Sequence, residues 1–155
     1  VSRLKGLLWP ALVAAALDQA AKLWLAAKLP PGGRIRLAPF LDLVHVRNPG
    51  VAFGVFSGTR PEWLLLALTF LGWLVLFGLA IWFSPRGRRS HLALGLALGG
   101  AAGNLIDRLR FRGVVDFLDF HWGRLHWPAF NLADASLCVG FALLVWLWFQ
   151  QSEKN

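Results

Sequence analysis

Apolar residues in this chain gather into four runs, separated by polar segments of two kinds. Gly6–Ala27 reads as one helix, with Asp18 and Lys22 as its only charges. At about 1.5 Å per residue it can cross a bilayer core of about 30 Å. Trp63–Phe83 carries no charge and has Trp63 and Trp82 near its two ends, as membrane interfaces favour. Leu92–Ile106 is shorter and rich in glycine (Gly95, Gly99, Gly100, Gly103), so the helix must extend past Asn104 and Asp107 to cross. The Gly99/Gly103 pair would let a neighbouring helix approach closely. Ala135–Phe149 is the fourth run, with Asp134 at its start and Trp146, Trp148 and Phe149 as an aromatic belt at its end. The predicted spans are about 6–27, 63–83, 90–108 and 131–149.

The segments between these runs differ in kind. Ser84–Ser90 is a short loop dense in arginine. Leu29–Thr59 begins with the helix breakers Pro30, Pro31, Gly32 and Gly33. Arg34–Leu37 and Asp42–Arg47 then alternate polar and apolar residues as strands do. Asn48-Pro49-Gly50 signals a turn, and Val51–Phe56 (VAFGVF) forms an apolar lip. Arg112–Phe120 alternates again, with Arg124–Phe130 as its expected partner strand. The predicted fold is a membrane protein with an all-α core of four transmembrane helices and a small extramembrane β-sheet on one face. It forms a single integral-membrane domain over 1–155.

Counting spans brings the chemistry together. Span one exits at Asp18 and Lys22, span three at Asn104–Asp107, and span four begins at Asn131 and Asp134. All three sets, and both strand-like segments, fall at one membrane surface. Composition agrees with this reading: 57% of the 155 residues are hydrophobic and 15% charged, well below the roughly 25% charged of soluble domains. A net charge of +8 raises nucleic acid as a partner, but the basic residues are scattered among apolar runs and suit anionic lipid headgroups instead. Cys138 is the single cysteine, which excludes an intrachain disulfide, and it is expected to be a small buried hydrophobe. A signal-peptide reading of the N-terminus, with Ala14–Ala16 as its cleavage region, is outweighed by the helical pattern continuing through Lys22 to Ala27. Charge bias acts through short loops, so the Arg86–Arg89 loop is placed in the cytoplasm with both termini, although more Lys and Arg lie on the other side.

Polar groups at the end of a lipid-soluble segment are costly unless they work. Asp107, Asp116, Asp119 and Asp134 are all candidates for a carboxylate pair that hydrolyses an amide. Two close carboxylates share one proton, so one can activate a water while the other hydrogen-bonds the carbonyl. A proton-coupled transporter could use the same carboxylates as a relay. A metal site could draw on His121 and His126 beside Asp116 and Asp119, but HxxxxH on a loop is weak ligand spacing. Asp18 and Lys22, four residues apart, share a helix face and can pair.

Four blocks in order narrow the choice: DQAAK (18–22), NPGVAF (48–53), GNLIDRLRFRGVVDF (103–117) and FNLADA (130–135). With four spans between them, they resemble the lipoprotein signal peptidases, the type II signal peptidases of bacteria. Ala21 departs from the Thr or Ser usual there, and Val51 from the common Ala. The resemblance implies an aspartic endopeptidase with Asp116 and Asp134 as its dyad. Asn48, Asn104, Arg108 and Asn131 would orient the dyad and hold the substrate backbone. Asp18 and Lys22 would support the site, and Gly50, Ala52, Phe53 and Ala133 would be substrate-binding or supporting positions. Asp107 would be a structural partner, for an arginine. The implied substrate is a diacylglyceryl-modified prolipoprotein, cleaved just before its lipidated cysteine. No metal or organic cofactor is implied. The expectation is a monomer in the bacterial cytoplasmic (inner) membrane, in contact with lipid and not nucleic acid, with the site near the outer surface.

Overall fold

The structure is a computed structural model. It describes residues 3–49, nine helical positions between 64 and 78, and residues 87–152. Its elements are α1 (Arg3–Lys28), β1 (Arg34–Ala38), β2 (Leu41–Asn48), α2 (Arg88–Phe111), β3 (Val114–Trp122), β4 (Leu125–His126) and α3 (Leu132–Ser152). Three of the four expected spans thus appear as helices, each longer than its apolar run. Most of Trp63–Phe83 lies outside the described residues. Among the described residues, one helix is long and apolar enough by itself to cross a membrane: Leu132–Gln150, with mean hydropathy 1.9.

Small residues set how the helices meet. A Cβ on Gly95 would stand 2.6 Å from the Leu7 carbonyl oxygen, and one on Gly99 would run into that of Ala11. Leu7 and Ala11 thus ascend α1 as Gly95 and Gly99 ascend α2, so these helices run parallel. Gly100 faces the other way, where an added Cβ would run into the Ala133 carbonyl oxygen. Gly140 meets Ala93 and Ala97, so α2 and α3 run antiparallel. The expected Gly99/Gly103 pair is therefore part of a longer arrangement, and Gly103 meets Asp18 and Ala133. Backbones this close gain dispersion contacts, the main attraction between helices where lipid is as apolar as leucine. The outer surface stays apolar: Trp9, Leu12, Phe141 and Trp148 are all exposed. Cys138 is also exposed, contrary to the expected burial, because it lies on the side of α3 that turns away from α2.

The four strands form an antiparallel sheet in the order β1-β2-β3-β4. It packs on the end of α1, where Val115 and Phe117 join Leu25 and Leu29 in a buried apolar cluster. Helix α2 ends at Arg112, which adopts the left-handed conformation (φ 55°) and donates its N–H to the Arg108 carbonyl at 2.9 Å. Gly113 follows, where a Cβ would be 3.0 Å from the Asn48 carbonyl oxygen. This two-residue link delivers β3 directly from the helix end and against β2. The expected strand over Arg124–Phe130 contracts to Leu125–His126 plus an isolated bridge from Phe130 to Leu118. Pro128, lacking an N–H, cannot serve a continuous ladder.

Gly100→Ala is expected to destabilise the protein by about 1–3 kcal/mol, because backbone on α3 must shift. Gly72→Ala, at an exposed helical position with nothing within 4 Å of a new Cβ, should be neutral or stabilising by up to about 1 kcal/mol. Thermal denaturation midpoints in detergent check both.

Candidate active site

Residues from α1, the end of β2, α2, β3 and the start of α3 meet at one end of the bundle. Phe130 is held to β3 by backbone bonds in both directions: its carbonyl accepts from Phe117 and Leu118 at 3.0 and 2.8 Å, and its N–H reaches Leu118 at 3.1 Å. The next residue, Asn131, is fully buried and serves as the N-cap of α3. Its Oδ1 accepts the N–H of Asp134 at 2.9 Å, while its own N–H donates to Asp134 Oδ2 at 3.2 Å. This reciprocal pair is a capping box, with Asp134 in the position usually held by glutamate or glutamine. The Asn131 amide nitrogen then points across to β3 and donates to Asp116 Oδ1 at 2.8 Å. One asparagine therefore touches both Asp116 and Asp134.

Two more asparagines complete the ring. Asn48, at the end of β2, donates to Asp116 Oδ2 at 3.1 Å. Asn104, on α2, donates to Asp134 Oδ1 at 2.7 Å and accepts from the Asn131 amide at 3.2 Å. Arg108 is largely buried, donates to the Asn104 carbonyl at 3.4 Å, and lies within electrostatic reach of Asp134 and Asp116. Burial lifts the Asp116 carboxyl from 3.8 to about 6, the neighbouring Asp134 adds to the rise, and hydrogen bonds from Asn48 and Asn131 oppose it.

Behind this ring lies a second buried group. Lys22 binds Asp18 at 2.7 Å and Asp107 at 2.9 Å, with Asn104 Oδ1 at 3.4 Å. Asp18 Oδ1 accepts the N–H of Ala133, an otherwise unsatisfied donor of the first turn of α3. Asp107, expected as a partner for an arginine, binds Lys22 at 2.9 Å and also lies within electrostatic reach of Arg108. Gln19, not foreseen from the sequence, donates to Asp107 Oδ1 at 2.9 Å. Its signal was present, as an uncharged polar residue inside an apolar run beside Asp18. Thus Asp18, Lys22, Asn48, Asn104, Arg108, Asn131, Ala133, Asp116 and Asp134 are brought together, whereas Gly50, Ala52, Phe53 and the rest of Val51–Phe56 lie outside the described residues.

The histidines stand elsewhere. His126 Nδ1 is 2.9 Å from Asp119, and His121 Nε2 is 3.4 Å from Asp42. Asp116 and Asp119 are three residues apart on one strand and point to opposite faces, so His121 and His126 do not share a site with Asp116. Among the described residues no three His, Cys, Asp or Glu side chains are grouped to hold a metal ion.

Comparison with known proteins gives a consistent result. The family model for signal peptidase (SPase) II matches residues 10–150. A lipoprotein signal peptidase of Oleidesulfovibrio alaskensis is 48% identical over 130 residues, which cover 81% of this chain and 82% of that protein. One from Aeromonas hydrophila is 43% identical, with 96% and 90% covered. A solved bacterial membrane enzyme, determined by the in meso method at 2.3 Å resolution, superposes with a TM-score of 0.83 at 28% identity, covering 95% of this chain and 89% of that one.

The Asp116 shift fixes a pH dependence. A folded-state value of about 6 against 3.8 means that the folded chain binds this proton more tightly. Stability from this group is full at low pH and declines between about pH 4 and pH 6, a cost on the order of 3 kcal/mol at neutral pH. Asp116→Asn is therefore expected to raise the thermal midpoint at pH 7.5, with the gap closing at pH 4. An equal or lower midpoint at pH 7.5 would contradict the assigned burial cost.

Proposed function

Because this chain belongs to the signal peptidase II family and is an aspartic endopeptidase, we propose that Asp116 and Asp134 are its catalytic dyad. The substrate in this reading is a diacylglyceryl-modified prolipoprotein, cut just before the lipidated cysteine. The observation that carries it is Asn131, whose side-chain amide holds Asp116 while its backbone N–H holds Asp134. Nothing in the matches favours the transporter reading.

The chemistry follows from the two environments. Asp116, buried and with its carboxyl raised to about 6, is suited to hold the shared proton. Asp134 accepts hydrogen bonds from Asn104 and Asn131 on separate oxygens, at the N-terminus of α3, where negative charge is favoured. Asp134 takes a proton from a water as the water oxygen attacks the scissile carbonyl carbon. Asp116 donates its hydrogen bond to the carbonyl oxygen as charge develops there. When the C–N bond breaks, a proton passes from the dyad to the leaving amine of the cysteine, and the signal peptide leaves with a new carboxyl terminus. Arg108 provides positive charge beside both carboxylates and the reacting carbonyl.

The protein belongs to the bacterial inner membrane. We further propose four spans, about 6–27, 63–83, 90–108 and 131–149, in one domain with both termini in the cytoplasm and the site near the outer surface. The parallel run of α1 and α2 supports this: both bring their C-terminal ends to the site, so the chain must return between them. A substrate helix and its acyl chains then reach the dyad laterally from lipid, in this reading as a one-to-one complex with a monomer. Gly50, Ala52, Phe53 and Ala133 would contact or border that substrate.

Asp116→Asn and Asp134→Asn should each lower peptide release from a diacylated prolipoprotein by at least about 10³-fold while the protein still inserts and folds. Mass spectrometry of the released peptide checks this. Turnover within tenfold of wild type by either variant would remove the dyad assignment.

A further inference from the structure

Of the buried carboxylates that the dyad leaves without a chemical task, Asp18 and Asp107 lie beside it. Each is at most 1% exposed. Their contacts are matched. Asp18 Oδ1 accepts the N–H of Ala133 at 2.9 Å, and Asp107 Oδ2 accepts the N–H of Val115 at 3.0 Å. Ala133 immediately precedes Asp134, and Val115 immediately precedes Asp116. Each carboxylate therefore grips the backbone one residue before a dyad aspartate.

One cation serves both grips. Lys22 Nζ stands 2.7 Å from Asp18 and 2.9 Å from Asp107. Gln19 Nε2 bridges the same pair, at 2.9 Å from Asp107 Oδ1 and 3.3 Å from Asp18 Oδ2, with the Gly103 carbonyl also at 3.3 Å. Glycine at 103 lets Asp18 sit this close to the α2 backbone, since a Cβ there would be 2.7 Å from Asp18 Oδ2. Buried carboxylates this close to each other repel unless a cation lies between them, so Lys22 ties the position of each to the other.

We propose that Asp107 and Gln19 are positioning residues for this reaction. Together with Asp18 and Lys22 they set the separation of the two dyad carboxylates, through the amides of Val115 and Ala133. The proposal rests on the dyad reading above. Charge-assisted bonds to backbone N–H groups are short and directional, so they fix the main chain more firmly than packing alone. Displacing a catalytic group by about 1 Å can cost on the order of 10²-fold in rate without changing substrate affinity.

The test measures kcat and KM on a diacylated prolipoprotein with the purified full chain, per folded molecule as judged by thermal denaturation. Asp107→Ala is expected to lower kcat about 10²-fold with KM within about twofold of wild type. Asp107→Asn keeps an oxygen for the Val115 N–H and should recover most of that loss, staying within about tenfold of wild type. Gln19→Leu, which leaves Asp107 in place but frees one oxygen, should lower kcat about tenfold at unchanged KM, and it decides the matter if Asp107→Ala does not fold. Wild-type kcat in Asp107→Ala or Gln19→Leu would overturn the proposal, as would Asp107→Asn being no better than Asp107→Ala. Asp116→Asn is run alongside: if it turns over within tenfold of wild type, the dyad reading itself has failed, and if it is inactive while Asp107→Ala or Gln19→Leu keeps wild-type kcat, only the positioning role has failed.

Discussion

A buried amide beside lipid must satisfy every polar atom it carries, because water is not there to do so. Asn131 meets this demand in a way that builds the site. Its carbonyl oxygen caps α3, its amide holds Asp116 on β3, and its backbone N–H holds Asp134. The two aspartates come from separate elements, a strand and a helix, so their proximity cannot come from local sequence. It comes from one residue whose hydrogen-bonding needs are met only when both elements are in place. The Phe130–Leu118 bridge makes this geometry obligatory by docking the chain on β3 one residue earlier.

The rest of the fold serves that junction. Glycines at 95, 99, 100 and 103 bring the α2 backbone against α1 and α3 on two sides, which places Asp18 and Asn104 within reach of the start of α3. The apolar cluster of Leu25, Leu29, Val115 and Phe117 fixes the sheet on the end of α1. In return the site holds several charges that an optimally stable membrane bundle would avoid. Burying the Asp116 carboxylate opposes folding at neutral pH, and such opposition is common where stability and activity compete for the same residue.

Much of this was legible in the sequence because lipid imposes few solutions. Span counting expects Asp18, Asn104 and Asp134 at one membrane surface, and the structure brings them together at one end of the bundle; the alternation in Arg34–Leu37, Asp42–Arg47 and Arg112–Phe120 marks three strands. Physics alone left four aspartates equivalent; choosing Asp116 and Asp134 needed the motif resemblance. Periodicity could not reveal that Asp107 binds Lys22, since the two lie on different helices and only packing joins them. It misjudged Cys138, because an apolar run does not say which side of a helix faces lipid. It also overextended the last strand, where Pro128 and a short bridge replace a ladder.

At the centre is the claim that two carboxylates act on the peptide bond through a water and not by direct attack. Single-turnover cleavage of a diacylated prolipoprotein in ¹⁸O-enriched water tests it most directly. One ¹⁸O in the new carboxyl terminus of the released signal peptide, with none in Asp116 or Asp134, is the expected result. Label appearing in either aspartate side chain, with the released peptide unlabelled, would mean that the carboxylate itself attacked and would contradict the mechanism.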